Sequence, residues 1–340
     1  MRKKTDERKD LHEYDRLYER FTLKDIKAYK PDPSTYIVGT RGFIRKGAGT
    51  MLIGPTGFGK SVLVEQMALS IACGQNIFGM IEVHEPRKVL YYHAENDLDT
   101  LHVDIPSIIK HEKLDEKLVE KNLIFRKIFG LAGNSFANFL KMDVEAIQPE
   151  LVIIDHYQAF LDKDINSFES FVQWIQPIQE LMDTANFGLL LVCHTPKKRD
   201  DEKDIREMVY NQMGSSAQAN WARASMEISP VKDKLRHFRL SFSKNPSRLG
   251  LREADGGIKR MLYVEHSPTP DEPYWQLSKE QSIIIKTEHE QIIEMKMKQN
   301  PKASVGQLAD MCGFSKSTIS KYLNKLKKNE KAGNTKTKNV

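Results

Sequence analysis

A glycine-rich octapeptide, Gly-Pro-Thr-Gly-Phe-Gly-Lys-Ser at residues 54–61, constrains this chain more than any other feature. It follows the apolar run 51–53 and precedes a helical pattern over 62–73. Phosphate is bound where a strand delivers the chain into a glycine turn whose amides point inward at a helix N-terminus. The order of elements therefore predicts a phosphate-binding loop, with a glycine turn that binds no nucleotide as the alternative.

The loop offers distinct groups to a nucleotide. Gly54, Gly57 and Gly59 allow the backbone to wrap closely around the β-phosphate. Lys60 supplies positive charge to the β- and γ-phosphate oxygens, and the Ser61 hydroxyl is placed to bind Mg²⁺. ATP and Mg²⁺ are thus the expected cofactors. The predicted nucleotide contacts are Gly54, Pro55, Thr56, Gly57, Phe58, Gly59, Lys60, Ser61 and Val62, together with Lys244 and Arg248 from later in the chain.

Composition sets the broad class. The chain has 340 residues, enough for about two domains, and its 40% hydrophobic and 29% charged residues are typical of soluble globular proteins. No apolar run approaches the roughly 20 residues of a membrane span, and the N-terminus lacks a signal-peptide core. Cys73, Cys193 and Cys312 are far apart, without disulfide or zinc spacing. We therefore expect a cytoplasmic protein with no membrane partner.

Apolar runs indicate a sheet. Four candidate strands follow the loop, at 88–92, 123–126, 151–155 and 187–193, separated by helical patterns that include 101–120 and 167–185. Uninterrupted runs indicate parallel strands covered on both faces. Shorter alternating segments at 225–229, 236–243 and 260–265 indicate an antiparallel extension. The predicted fold class is α/β, a doubly wound and mainly parallel sheet with an antiparallel extension.

Polar residues close the apolar strands. Asp155 ends the most apolar strand and is predicted to hold Mg²⁺ through water. His156 follows it, so the carboxylate that activates water must come from elsewhere. Glu95, just past strand 88–92, is the best candidate. Asp97 is a rival on the same turn, and a helix-capping role is the alternative for Glu95.

Basic residues and a histidine complete the candidate site. His194 ends strand 187–193 and is predicted to sense the γ-phosphate, with a purely structural role as the alternative. Three further residues do not directly follow the loop strand, so they should lie away from the phosphates of their own subunit: Arg223, Lys244 and Arg248. Such residues can act as arginine fingers in trans, or they can be ordinary surface charges.

The C-terminal segment carries a second motif. Residues 281–340 contain twelve lysines and five acidic residues, hence a net charge of +7, whereas the whole chain carries +6. This imbalance predicts contact with a polyanion, or else a solvated lysine-rich end. The helical patterns 283–299 and 304–312 precede a turn at Gly313 and a third helix capped by Ser315, which together predict a small all-α (winged) helix-turn-helix.

The third helix has two faces. Its apolar face comprises Ile319, Leu323 and Leu326. Its basic face predicts DNA contacts at Lys316, Ser317, Thr318, Lys321, Asn324 and Lys328. A three-helix domain for protein contact is the alternative. The predicted domains are a charged helical arm (1–33), an ATPase domain (34–266), a proline-rich linker (267–280), the helix-turn-helix (281–330) and a basic disordered tail (331–340).

Six segments occur in the order found in RecA-like ATPases. Over roughly residues 35–265 they are GPTGFGKS, YYHAEND, LVIIDHYQAFL, LLLVCHTPKK, GSSAQANWAR and SKNPSRLG. The chain most resembles the subgroup around the hexameric RepA-type plasmid replicative helicase. The resemblance implies a RecA-like fold in which Lys60 and Ser61 are loop ligands, Glu95 is the catalytic carboxylate and Asp155 the Mg²⁺ residue. His156 and Tyr157 stand where this subgroup often has Pro-Leu.

The resemblance extends to assembly. It implies that His194 senses the γ-phosphate, that Arg223 is the arginine finger given to the neighbouring subunit, and that Lys244 lies at that interface. Arg248 fits less closely because Pro246 and Ser247 lengthen the usual spacing. It also implies a six-subunit ring, with loops near 156–166 and 195–213 facing a channel for single-stranded DNA. The second loop departs from this picture through Asp200, Asp201, Glu202, Asp204 and Glu207.

These features predict an ATP-hydrolysing, DNA-handling motor of plasmid or phage type. The expected assembly is a homo-oligomer, a hexamer, that binds single-stranded DNA through the ring and duplex DNA through the helix-turn-helix. Two other functions stay open. One is an ATP-switched DNA-binding regulatory or partition protein that unwinds nothing. The other is a RecA-like recombination mediator that forms filaments.

Overall fold

The computed structural model describes residues 21–162, 167–195, 216–231, 234–253, 255–269, 271–279, 288–301 and 303–324. The chain divides into two compact units, residues 1–281 and 282–340. The predicted tail (331–340), most of the loop 195–213 and the first twenty residues of the predicted arm lie outside the described residues.

The first unit alternates strands and helices. Its helices are α1 (Leu23–Ala28), α2 (Lys60–Cys73), α3 (Leu98–Glu112), α4 (Glu116–Asn122), α5 (Gly133–Ile147), α6 (Phe168–Ala185) and α7 (Ser216–Trp221). Its strands are β1 (Tyr36–Val38), β2 (Ile44–Arg45), β3 (Gly49–Pro55), β4 (Val89–His93), β5 (Leu123–Lys127), β6 (Leu151–Asp155), β7 (Gly188–Thr195), β8 (Ala224–Pro230), β9 (His237–Lys244), β10 (Met261–His266) and β11 (Trp275–Leu277).

Nine of the described strands form one sheet in the order β11-β10-β9-β8-β3-β7-β6-β4-β5. Six neighbouring strands run parallel to one another, in the spatial order β5, β4, β6, β7, β3 and β8. Strands β9, β10 and β11 follow β8 as an antiparallel meander. The predicted α/β class, with a mainly parallel sheet and an antiparallel extension, is confirmed. One strand differs from expectation: β8 was expected in the extension, but it runs parallel to β3.

Helices cover both faces of the sheet. Every residue of β4 and β6 is buried. Successive residues of β3 enter different apolar clusters, since Leu52 packs with α2 whereas Met51 and Ile53 pack with α5 and α6. A strand buried on both sides has no polar face, and this explains its uninterrupted apolar sequence.

The helical pattern over 101–120 is two helices instead of one. α3 ends at Glu112, and Lys113 takes a left-handed conformation with φ +55°. α4 then begins behind Asp115, whose side chain accepts a hydrogen bond from the Lys117 amide. A left-handed residue cannot continue an α-helix, so the chain changes direction here.

The predicted linker 267–280 contains β11, the edge strand of the sheet, so the linker prediction is wrong for Trp275–Leu277. Trp275 is fully buried. Its backbone N–H and C=O both bond the side-chain amide of Gln66 at 2.8 Å, and its indole N–H donates to the Gly59 carbonyl at 3.0 Å. These contacts draw the segment into the core because a buried indole and a buried amide each need partners.

The second unit is a short helical fold. Its described helices are α8 (Glu288–Gln299), α9 (Val305–Cys312) and α10 (316–324). Ser304 and Gln307 form a capping box, and Gly313 turns the chain at φ +69°. The core consists of Ile293, Leu308, Ala309, Ile319 and Tyr322. The predicted helix-turn-helix is confirmed, and Leu326 and Lys328 lie beyond its described residues.

Replacing Trp275 by alanine is expected to lower the free energy of unfolding of the first unit by about 3–5 kcal/mol, because a buried ring and a hydrogen-bond donor are both lost. Chemical denaturation followed by circular dichroism measures the change. The control is Phe129→Ala, whose side chain is 76% exposed, with an expected change within about 0.5 kcal/mol. Equally small changes in both variants would mean that this segment is a linker after all.

Candidate active site

Four neighbouring parallel strands, β3, β7, β6 and β4, end at the same edge of the sheet. The first carries the glycine loop, and the other three end at or near His194, Asp155 and Glu95. The ladder pairs Gly54 with His194 and His93 with Asp155. The structure thus brings these sequence-predicted side chains together, at the edge where open α/β sheets bind ligands.

The loop has the backbone of a phosphate cradle. Gly57 and Gly59 have φ values of +83° and +67°, which side chains other than glycine rarely adopt. A Cβ at Gly59 would also overlap the His266 ring. No side chain caps the N-terminus of α2, so its first amides point outward with the positive end of the helix dipole. This arrangement fits a nucleotide phosphate.

Lys60 is held inside the loop. It is 3% exposed, and its Nζ donates to the Pro55 carbonyl at 2.8 Å. Burial lowers the pKa of Lys60 to about 8, and the charge of Asp155 opposes this shift. Its Nζ lies 3.3 Å from Nδ1 of His194. The ammonium group and the histidine therefore face the same small volume.

Asp155 is buried among oxygen groups. The Tyr91 hydroxyl donates to its Oδ2 at 2.9 Å, and a side-chain hydrogen bond joins it to Ser61. Burial raises the pKa of Asp155, and the hydrogen bonds from Ser61 and Tyr91 oppose that rise. A carboxylate beside a serine hydroxyl is the kind of hard oxygen set that Mg²⁺ prefers, so these residues fit the ion.

Glu95 is exposed and contacts His156, a residue with no role predicted from the sequence. Its Oε1 lies 3.0 Å from Nε2 of His156, and its side chain is 66% exposed. The His156 ring packs edge-on against His194, with centroids 4.2 Å apart. Nδ1 of His194 also lies 3.0 Å from the Thr56 hydroxyl. Burial, assisted by the charge of Lys60, lowers the pKa of His194 to about 4.

The rival carboxylate has a structural task. Asp97 caps α3, accepting hydrogen bonds from the amide and hydroxyl of Thr100 at 3.0 and 2.9 Å. These bonds lower the pKa of Asp97. Asp97 therefore performs the helix-capping role that was the alternative for Glu95. The Glu95 carboxylate is directed toward His156 instead.

A buried carboxyl group that was not among the predicted site residues lies behind the site. Glu65 of α2 is fully buried and accepts a hydrogen bond at 2.8 Å from Asn96, the neighbour of Glu95. Burial and the charge of Asp104 raise the pKa of Glu65 to about 8. In the sequence Glu65 looks like any helical glutamate, because its partners lie far along the chain.

The three basic residues expected to act in trans lie together, away from the loop. The backbone N–H of Arg223 donates to the carbonyl of Gly49, the first residue of β3. Gly54, where the loop begins, lies five residues further along this strand, about 17 Å from Gly49 for an ordinary strand rise per residue. Lys244 pairs with Ser225 across the ladder. Burial lowers the pKa of Lys244 and of Arg248, and the charge of Arg223 adds to both shifts.

In the second unit, four of the predicted DNA contacts are exposed on α10: Lys316, Ser317, Lys321 and Asn324. Thr318 differs, since it is half-buried and its hydroxyl lies 2.9 Å from that of Ser315. Its amide also donates to Ser315, as expected of the capped first turn.

The glycine loop, the buried lysine and the strand-end acid define a P-loop ATPase. A family described as an AAA domain matches residues 15–200, more than half of the chain, so the protein belongs to that family. A family described as a winged helix-turn-helix DNA-binding domain matches residues 297–331. No curated protein matched the chain. Among the described residues, no helix is long and apolar enough to cross a membrane.

Glu65→Gln should flatten the pH dependence of stability. The pKa of Glu65 is about 8 in the folded chain against an ordinary 4.5, so between these values the folded chain keeps a proton that the unfolded chain has lost. Stability therefore falls as the pH rises through this window, by up to about 1.4 kcal/mol per pH unit. A neutral glutamine removes this contribution.

Urea denaturation at pH 6 and pH 8 measures the slope. Glu120→Gln, at an exposed position of α4, serves as the control and should keep the wild-type slope. If the Glu65→Gln variant also keeps it, the buried acid is not protonated at neutral pH.

Proposed function

We propose that the protein is an ATP-hydrolysing, DNA-handling motor, a replicative helicase or translocase of the RepA type that hydrolyses ATP between subunits. The main support is that the charged and polar site residues lie in two separate groups, at opposite edges of the sheet. Lys60, Asp155, Glu95 and His194 meet at one edge of the sheet, whereas Arg223, Lys244 and Arg248 meet at the other. A single chain cannot bring both groups to one phosphate, so the proposed role of Arg223 in hydrolysis requires a second copy.

The chemistry assigned to these residues follows from their positions. Lys60 and the α2 amides bind the β- and γ-phosphates, and Ser61 and Asp155 would hold Mg²⁺, which neutralises charge on phosphate oxygens. Glu95 accepts the proton of the attacking water, a task its exposed carboxylate can perform. His194, between Thr56 and Lys60, senses the γ-phosphate. Arg223 of a neighbouring subunit stabilises the charge of the transition state.

DNA is the proposed partner. The winged helix-turn-helix places Lys316, Lys321 and Asn324 on an exposed face suited to phosphates and base edges of duplex DNA. Passage of single-stranded DNA through a six-subunit ring rests on the resemblance to RepA-type helicases. DNA as a partner, with Cys73, Cys193 and Cys312 all free thiols, favours the cytoplasm.

ATP hydrolysis should be stimulated by single-stranded DNA and abolished by Glu95→Gln. Removal of a general base lowers the rate by at least about 100-fold. A phosphate-release assay with and without single-stranded DNA measures both effects. Asp97→Asn, on the same turn, is the matched control, since asparagine also caps helices and the rate should stay near wild type.

The alternative is an ATP-switched DNA-binding protein without unwinding activity. It would hydrolyse ATP slowly, ignore single strands and bind duplex DNA more tightly with ATP. That outcome would refute the motor while leaving the P-loop assignment in place. Open-ended filaments in electron micrographs would instead favour a recombination mediator.

Mixing two inactive variants tests the shared site. Arg223→Ala should cost about 10³-fold or more in rate, and Lys60→Ala should abolish nucleotide-dependent turnover. In mixed oligomers, some interfaces combine the intact loop of one variant with the intact finger of the other, so partial activity should return. Inactivity at every mixing ratio, with mixed oligomers demonstrated by differential tagging, would place Arg223 outside the site.

A further inference from the structure

Three side chains with metal-binding atoms meet beside the P-loop. Glu95, His156 and His194 each offer one such atom, and these atoms lie within 4.8 Å of one another. Nε2 of His156 and Oε1 of Glu95 are already 3.0 Å apart, and the two imidazole rings are in edge-on contact. They come from the ends of three adjacent strands, β4, β6 and β7, so the sheet holds them close together.

We propose that Glu95, His156 and His194 form a Zn²⁺ site, distinct from the Mg²⁺ site at Ser61 and Asp155. Two imidazoles and one carboxylate match the ligands of Zn²⁺, whereas Mg²⁺ prefers oxygen alone. The proposed mechanism of ATP hydrolysis gives no role to His156. A zinc site would explain why His156 lies beside both Glu95 and His194.

The surroundings suit this ion. Nδ1 of His194 faces the Thr56 hydroxyl, so Nε2 is the nitrogen that we expect to bind zinc, with Nδ1 carrying the ring proton and donating it to the Thr56 oxygen, which orients the ring. The side-chain amide of Gln158 bonds the backbone of His194, donating to its carbonyl at 2.9 Å and accepting from its N–H. Three protein ligands leave one coordination position for water or a phosphate oxygen.

One neighbour opposes the ion. The Lys60 ammonium lies 3.3 Å from His194, and its positive charge disfavours a second cation nearby. We therefore expect micromolar affinity in the nucleotide-free protein, weaker than that of a structural zinc site.

Zinc binding would inhibit hydrolysis, a consequence that rests on the proposed function. Glu95 bound to Zn²⁺ cannot accept a proton from water, and His194 bound to it cannot respond to the γ-phosphate. Micromolar Zn²⁺ should therefore slow ATP turnover in the presence of excess Mg²⁺, and a chelator should restore it.

Direct binding of Zn²⁺ to the nucleotide-free full chain, in competition with a chromophoric chelator, tests the site. His156→Gln should bind one Zn²⁺ fewer per chain, or bind it at least about tenfold more weakly. His156→Cys keeps a zinc ligand and should retain the ion. His102→Ala, at an exposed histidine of α3, is the control and should match the wild type, and circular dichroism confirms that each variant is folded.

Equal zinc binding by the wild type and a folded His156→Gln variant would overturn the proposal. The binding assay uses no ATP, so it tests the zinc site independently of the proposed function. Zinc binding without any ATPase activity would support the zinc site and refute the proposed function. ATPase activity without zinc binding that depends on His156 would refute the zinc site and leave the proposed function in place.

Discussion

The parallel register of β3, β7, β6 and β4 fixes the geometry on which the site depends. Neighbouring strands lie about 4.8 Å apart, so groups that leave the same edge of the sheet at matching positions meet without long loops. Gly54 faces His194 in this ladder, and His93 faces Asp155. The hydrogen bonds of the sheet, reinforced by apolar packing on both faces, therefore position the polar side chains.

Much of this could be predicted because the physical causes are local. A strand buried on both faces must be apolar throughout, and a backbone that turns through positive φ at Gly57 and Gly59 must use glycine. The loop and the strand ends can therefore be recognised from the sequence. The predictions for Asp155, Glu95 and His194 followed, because a residue after a parallel strand emerges at a known edge.

The rest depended on contacts between distant residues. Trp275 bonds Gln66 across 209 positions, and His156 meets Glu95 across 61. A strand of three residues that follows three closely spaced prolines, Pro268, Pro270 and Pro273, gives too short a pattern to distinguish from a linker. Glu65 lies on the buried side of α2, a helix that is apolar almost all around, so no periodicity marks it as special.

The position of β11 has a mechanical consequence. The first unit ends only a few residues beyond Leu277, so any tension on the DNA-binding unit passes along the chain into this strand. Trp275 then passes the load to Gly59 and Gln66, which lie at the phosphate end of α2 and on its first two turns. The hydrogen bond from the Trp275 indole to the Gly59 carbonyl therefore links the chain that leads to the second unit directly to the P-loop.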